Sequence, residues 1–162
     1  MLSGSAQGEP AGYLGGIKMS VKQISIFVEN KPGRMNGITE VLANNNINMR
    51  ALALAETEGF GIVRIIVDDV YEATTVLKDN DYINKVNHVV VVEIPDVPGG
   101  LNKVLRIFTE ANINLEYMYA IAGDKNIDNA YLVFRVDDYK AAEQALKHTG
   151  IRYLDQEDIA DL

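Results

Sequence analysis

The chain repeats itself. The stretch NKPGRMNGITEVLANNNINM, from Asn30, aligns with DVPGGLNKVLRIFTEANINL, from Asp96, at an offset of 66 positions. Pro32 falls on Pro98, Gly33 on Gly99, Asn36 on Asn102, and Asn46-Ile47-Asn48 on Asn112-Ile113-Asn114. Other pairs exchange one apolar residue for another: Met35 for Leu101, Ile38 for Val104, Val41 for Ile107 and Leu42 for Phe108. After a longer loop the offset becomes 69, so that Val67-Asp68-Asp69 meets Val136-Asp137-Asp138 and Leu77-Lys78 meets Leu146-Lys147. A chain of 162 residues built this way holds two small units of like fold. Each is near the lower size for folding alone, so each should bury apolar surface against the other or against a partner.

Within each unit the patterning is clear. VKQISIFVEN, from Val21, is rich in β-branched residues and predicts a strand. A turn over Asn30–Gly33 leads into a helix, because Met35, Ile38, Val41 and Leu42 recur at helical spacing. The helix should stop at Asn44-Asn45-Asn46, since asparagine tolerates the left-handed conformation that closes a helix. INMRALALAE and IVRIIV predict two strands joined through the glycines of TEGFG, and Asp68 or Asp69 should cap a helix over VYEATTVLKD. The second copy repeats the order: VVVVEI from Val89, a helix lined by Leu101, Val104, Leu105 and Phe108, strands from Ile113 and Ala130 around the loop GDKNIDN, a helix closed at Gly150, and a last short strand IRYL. Each half therefore reads β-α-β-β-α-β. The expected fold is α+β: two ferredoxin-like βαββαβ domains, each a four-stranded antiparallel sheet with two helices on one face. The expected divisions are a flexible leader or cloning remnant over 1–18, a first domain over 19–86 and a second over 87–162. YINKV and HVVVVEI nearly touch at the junction, so almost no linker separates the halves and their relation should be fixed.

Composition narrows the function. The net charge of −8 argues against a surface that tracks nucleic-acid phosphates, which needs clustered Lys and Arg. Phe27 stands alone on the first strand, without the exposed aromatics among basic residues that RNA-recognition domains of this architecture use. No apolar run approaches the roughly 20 residues that span a bilayer, and the first 18 residues lack the apolar core of a signal peptide. There is no cysteine, hence no disulfide framework, which fits a reducing cytoplasm. His88 and His148 occupy non-equivalent places in the repeats, and the matched acidic pairs Asp68-Asp69 and Asp137-Asp138 stand where helix caps belong. No catalytic residues, metal site or cofactor are expected; the split-βαβ acylphosphatases are the enzyme class to exclude.

Asn30-Lys31-Pro32-Gly33 with Asn46-Ile47-Asn48, and Asp96-Val97-Pro98-Gly99 with Asn112-Ile113-Asn114, resemble the signature of the ACT domain. The resemblance covers residues 21 to about 156. It implies regulatory modules that bind amino acids or related metabolites at the interface of two modules, here as a stand-alone tandem pair, homodimeric or otherwise homo-oligomeric, and able to regulate a metabolic enzyme.

The residues suit that chemistry. A Pro-Gly turn opening into a helix leaves backbone N–H groups free for a ligand carboxylate, and glycine lets the ligand approach the backbone. Asn30 and Asp96 offer acceptors for an ammonium group, and Asn48 and Asn114 offer donor and acceptor. The candidate ligand-binding set is Asn30, Gly33, Arg34, Met35 and Asn48 with Asp96, Gly99, Gly100, Leu101 and Asn114. By the resemblance, Asn30 would face Asn114 and Asp96 would face Asn48. A plainer reading stands beside this: Pro-Gly is also a good strand-to-helix turn, and Asn46 and Asn112 read as helix C-caps. Arg34, opposite Gly100 in the second copy, could hold a carboxylate or be a solvated charge. Tyr117, Tyr119 and Tyr131 could line a pocket, although packing is the commoner role of tyrosine on a half-buried strand. The expected function is non-catalytic binding of a small amino acid; the alternative is a module that docks an enzyme without its own ligand.

Overall fold

The computed structural model describes residues 20–121 and 128–162. The leader expected over 1–18, and most of the loop GDKNIDN, lie outside these. The first repeat runs β1 (Ser20–Glu29), α1 (Arg34–Asn44), β2 (Met49–Thr57), β3 (Phe60–Val67) and α2 (Val70–Asp79). The strand β4 (Ile83–Pro95) leads into α3 (Gly100–Glu110), β5 (Leu115–Ile121), β6 (Asn129–Val136), α4 (Tyr139–Leu146), β7 (Arg152–Leu154) and α5 (Gln156–Ala160). Each of the four longer helices buries two residues one turn apart: Ile38 and Leu42, Ala73 and Leu77, Val104 and Phe108, Ala142 and Leu146. That i, i+4 spacing places both on one face, which packs on the sheet.

The two separate sheets expected from the sequence are one. A seven-stranded antiparallel sheet runs β2-β3-β1-β4-β6-β5, with β7 also on β4. Residues Ile83–Phe27 to Val90–Ser20 pair β4 with β1, while Val90–Phe134 to Pro95–Asn129 pair it with β6. β7 joins at Val91–Leu154, on the edge that β1 has just vacated. The segments YINKV and HVVVVEI are thus a single strand that ends one repeat and begins the next, and the boundary expected between residues 86 and 87 falls inside it. A strand flanked on both edges and covered on both faces should be continuously apolar, and Val89, Val90, Val91 and Val92 are all fully buried.

Side chains alternate across the pleat. Val90, Val92 and Ile94 join the core under α3 and α4, and Ile24, Ile26 and Val28 join that under α1 and α2. The opposite face carries none of these four helices and receives only α5. There Val21, Ala51, Ile66, Val89, Val91, Ile121, Tyr131, Val133, Leu154 and Ile159 form a third cluster drawn from both repeats. The sheet curls until β2 and β5, at its two ends, touch. Equivalent edge positions are complementary in size: Ala51, Ala53 and Ala55 on β2 match Tyr117, Tyr119 and Ile121 on β5.

The tyrosines are packing residues of this seam. Tyr119 Oη donates to Gln23 Oε1 at 2.8 Å, and Gln23 Nε2 donates to Tyr117 Oη at 2.7 Å. Gln23 is fully buried, and burial beside Tyr117 pushes the Tyr119 hydroxyl well above the usual phenol range. The last helix, α5, was not expected. Asp155 closes it with a capping box, Ile159 is buried, and Gln156 fastens it to the first repeat by accepting from the Lys22 N–H and donating to the Val67 carbonyl.

A buried hydroxyl stripped of its partner costs about 1–3 kcal/mol. Gln23→Met should therefore lower stability by roughly that amount in urea unfolding, and adding Tyr117→Phe and Tyr119→Phe should recover most of the loss. A triple variant no more stable than the single one would show that the network does not bind the repeats together.

Candidate functional site

The two Pro-Gly turns are geometrically the same. Gly33 and Gly99 precede α1 and α3 with φ of 85° and 90°, a left-handed conformation that glycine adopts without strain. Each carbonyl accepts from the N–H four residues on, Gly37 and Lys103 respectively. Neither helix has a side-chain cap or an acidic residue in its first turn. The other three helices are treated differently: Asp69, Asp138 and Asp155 accept from first-turn N–H groups of α2, α4 and α5. The first N–H groups of α1 and α3 donate to the turn carbonyls of Lys31 and Val97, and no carboxylate meets either positive end, whereas an aspartate closes each of the others.

The residues around the first turn are partly engaged. Arg34 and Lys31 both pair with Glu29, at 2.8 and 3.0 Å, and hold its carboxyl below the usual range. Met35 packs against the core under α1, and Asn30 Nδ2 donates to Glu56 at 3.4 Å. In the second repeat Asp96 N–H donates to the Asp128 carbonyl and Leu101 is exposed. Gly100 has a steric role: a Cβ there would lie 2.6 Å from the Pro95 carbonyl oxygen.

In Asn-Ile-Asn the two asparagines differ. Asn46 and Asn112 both have φ of 55°, and the following isoleucine N–H reaches back to Leu42 or Phe108 at 2.9 Å; they close α1 and α3 from the position just after the C-caps, which are Asn45 and Ala111 and not these asparagines. Asn48 and Asn114 lie exposed at the entrances to β2 and β5, and the Asn114 backbone pairs with Asp137 in both directions. Within a repeat, turn and asparagine are at opposite ends of the sheet. Glu29 pairs with Phe60 at one end of β3 and Met49 with Val67 at the other, seven residues or about 23 Å along the strand. Pro95–Asn129 and Leu115–Val136 span β6 the same way. Among the described residues no hydrogen bond joins Asn30 to Asn114 or Asp96 to Asn48.

A cleft of about 400 Å³ lies over the second turn, lined by Pro98, Gly99, Gly100, Lys103, Glu93 and Ile151 among others. In the first repeat Tyr82 stands in place of Ile151, and its hydroxyl lies against Gly37, the counterpart of Lys103. Lys103 and Ile151 were not among the expected site residues. The signal was the repeat alignment, which shows a small residue and a tyrosine in one copy against a lysine and an isoleucine in the other. A larger cleft of about 670 Å³ lies where α5 docks, beside Ser20, Lys22, Asp68, Asp69 and Asp155. Three of its four carboxylates, all but that of Glu157, are already committed. Asp68 pairs with Arg50 at 2.8 Å, which lowers its pKa, while Asp69 and Asp155 cap helices. It is a seam between the repeats. Among the described residues no His, Asp and Glu group could hold a metal ion, and no helix is long and apolar enough to cross a membrane.

A family model for the ACT domain pair matches residues 19–162. The chain belongs to the ACT domain pair family. Protein BT0572 from Bacteroides thetaiotaomicron is 41% identical, with a TM-score of 0.82 over 89% of this chain and 98% of that one. Regulatory subunits of aspartate kinase share the fold at lower identity. That of Thermus thermophilus has 14% identity and a TM-score of 0.57, covering 82% of this chain and 93% of its own. That of Thermus flavus has 14% identity and a TM-score of 0.55, covering 80% and 94%. No curated protein sequence matches this chain. The ACT membership explains why the turn and Asn-Ile-Asn occur twice, and ACT domains are regulatory.

Two outcomes test this geometry. Gly100→Ala forces a methyl group against backbone and should cost about 1–3 kcal/mol, roughly 3–10 °C in Tm. Gly37→Ala meets only the movable end of Tyr82 and should cost less, so equal losses would contradict the assigned steric role. At the junction, His88 stacks on Tyr139 with ring centroids 4.7 Å apart, and burial, with Lys22, Arg135 and Lys140 nearby, lowers its pKa. The unfolded chain then binds more protons below about pH 6.5, so this contribution is full above that pH and is lost as pH falls through the folded pKa. His88→Gln should flatten Tm against pH between about 5 and 7; an unchanged slope would assign it elsewhere.

Proposed function

We propose that this ACT pair is a non-catalytic sensor that binds a small amino acid, or a closely related carboxylate metabolite, at its Pro-Gly turns. The observation that carries this is the selective capping: three helices have an aspartate on their first N–H groups, and α1 and α3 have none. A ligand carboxylate completes what the sequence leaves open. Gly33, Arg34 and Met35, with Gly99, Gly100 and Leu101, form the two cradles, and Asn30 and Asp96 take the ammonium group. Asn48 and Asn114 come from a different repeat, since each lies at the far end of the sheet from its own turn. That requirement favours assembly with a second chain, and we read the protein as a homodimer or higher homo-oligomer. The open cleft beside Gly99 and Lys103 makes the second turn the stronger site. We read each repeat, 19–86 and 87–162, as a ferredoxin-like βαββαβ unit that shares β4 with its neighbour, working in the cytoplasm.

A second reading has its own observation. β2 is the last strand of the sheet on its side, and Leu52 and Leu54 on it are exposed, so it offers apolar surface to a partner. The fold likeness to aspartate kinase regulatory subunits suits a chain that docks on a metabolic enzyme.

Thermal shift with each of the twenty amino acids separates the two. At about 100-fold over its dissociation constant a ligand adds roughly 2.7 kcal/mol, or about 5–10 °C for a chain of this size. One selective shift, abolished in the Asn48→Ala, Asn114→Ala double variant, is the expected result. A flat screen would overturn the sensor reading in favour of docking through β2.

A further inference from the structure

The face of the first repeat that lies opposite α1 and α2 differs chemically from its copy. Where the second repeat has Val89, Val91 and Val133, all fully buried, the first has Gln23, Ser25 and Arg64. If this face served only to pack, valine would suffice there too. Arg64 lies on β3 between Ala53 of β2 and Ser25 of β1, and Lys85 of β4 is next along the same row.

Arg64 is held but not satisfied. Its guanidinium carbon sits 3.7 Å from the centre of the Tyr117 ring, and its Nε is buried without a hydrogen-bond partner. Among the described residues none of its N–H groups has an acceptor. The Tyr117 hydroxyl accepts from Gln23 Nε2, and its own proton is likewise unclaimed among the described residues. Tyr117 is in turn fixed by the buried Gln23, so the guanidinium fork is preorganised. The adjoining rows on this face hold Ile66, Gln23 and Asn87 on one side and Ile62, Phe27 and Ile83 on the other. None is a carboxylate. Phe27 is 41% exposed and Ile83 73% exposed, which leaves apolar surface beside the fork.

We propose that this face is a second binding site, distinct from the Pro-Gly turns, for a small monocarboxylate with an aromatic or branched apolar body. The carboxylate takes the free N–H groups of Arg64 and the Tyr117 O–H, and the body lies against Phe27 and Ile62. A planar fork fits a carboxylate in two-point contact. Two cations, Arg64 and Lys85, with no carboxylate in the adjoining rows, disfavour an α-ammonium group, so the ligand is a carboxylic acid without one.

The test follows the Arg64 Nε–Hε resonance in the ¹⁵N-labelled full chain, assigned by Arg64→Met. Phenylacetate should shift that resonance and the backbone amides of Ser25 and Lys85, saturating in the roughly millimolar range of so small a ligand. Phenylalanine, which adds the ammonium group, should bind about tenfold more weakly, and benzyl alcohol should produce no saturable shift. Arg64→Lys, which keeps charge and fold without the planar fork, should weaken phenylacetate, and Arg64→Met should abolish it. The Asn48→Ala, Asn114→Ala variant should leave the titration unchanged, which separates this site from the turns. Absence of a saturable phenylacetate shift, or backbone shifts that persist in Arg64→Met, would overturn the proposal. So would an Arg64 resonance that moves with protein concentration alone, since the acceptor would then come from a second copy.

Discussion

The structure depends on β4. A single strand of thirteen residues closes the first repeat with one half and founds the second with the other. Because Val89 to Val92 are buried on both faces and both edges, the strand cannot move relative to either sheet half without exposing apolar surface or breaking ladder hydrogen bonds. The repeats are therefore not two bodies on a tether. Their relation follows from strand register, and the curl brings together, at Gln23, Tyr117 and Tyr119, the faces that lie opposite the four longer helices.

From that shared strand comes the asymmetry between repeats of the same design. α5, which follows β7, lays Ile159 into the cluster shared by the two repeats and Gln156 against the first repeat. The second repeat's face is filled with valine, whereas the first keeps Arg64, Ser25 and exposed Phe27. The turns diverge too: Tyr82 lies over α1, and a cleft with Lys103 opens over α3. Duplication supplied two equivalent frames, and packing made them different. Electrostatics add a further selection, because aspartates close α2, α4 and α5 and none closes α1 or α3.

Much of this was legible in local sequence because its causes are local. The apolar pairs at i, i+4 define the four longer helices, Asp69 caps α2, and Asn46 and Asn112 adopt the left-handed conformation that ends α1 and α3. Other features depend on contacts between distant residues. Two strand-like segments read as separate because each alone has the length of a strand; only the pairing of Val90 with both Ser20 and Phe134 makes them one. Arg34 read as either a carboxylate ligand or a solvated charge, and its pairing with Glu29 across the turn is visible only in the fold. Polar Gln23 on an apolar strand had no evident partner until the curl set it beside tyrosines about ninety-five residues away in sequence.

What the sequence by itself determined is the repeat unit: the order of strands and helices, the glycine turns, the caps and the face each helix buries. These follow from periodicity and backbone preference over a few residues. Tertiary structure decided how the units combine. Continuity of β4, the curl of the sheet, the docking of α5 and the isolation of Arg64 beneath Tyr117 all arise from side chains far apart in the chain excluding water together. That free energy belongs to the assembled surface, and no local window of sequence contains it.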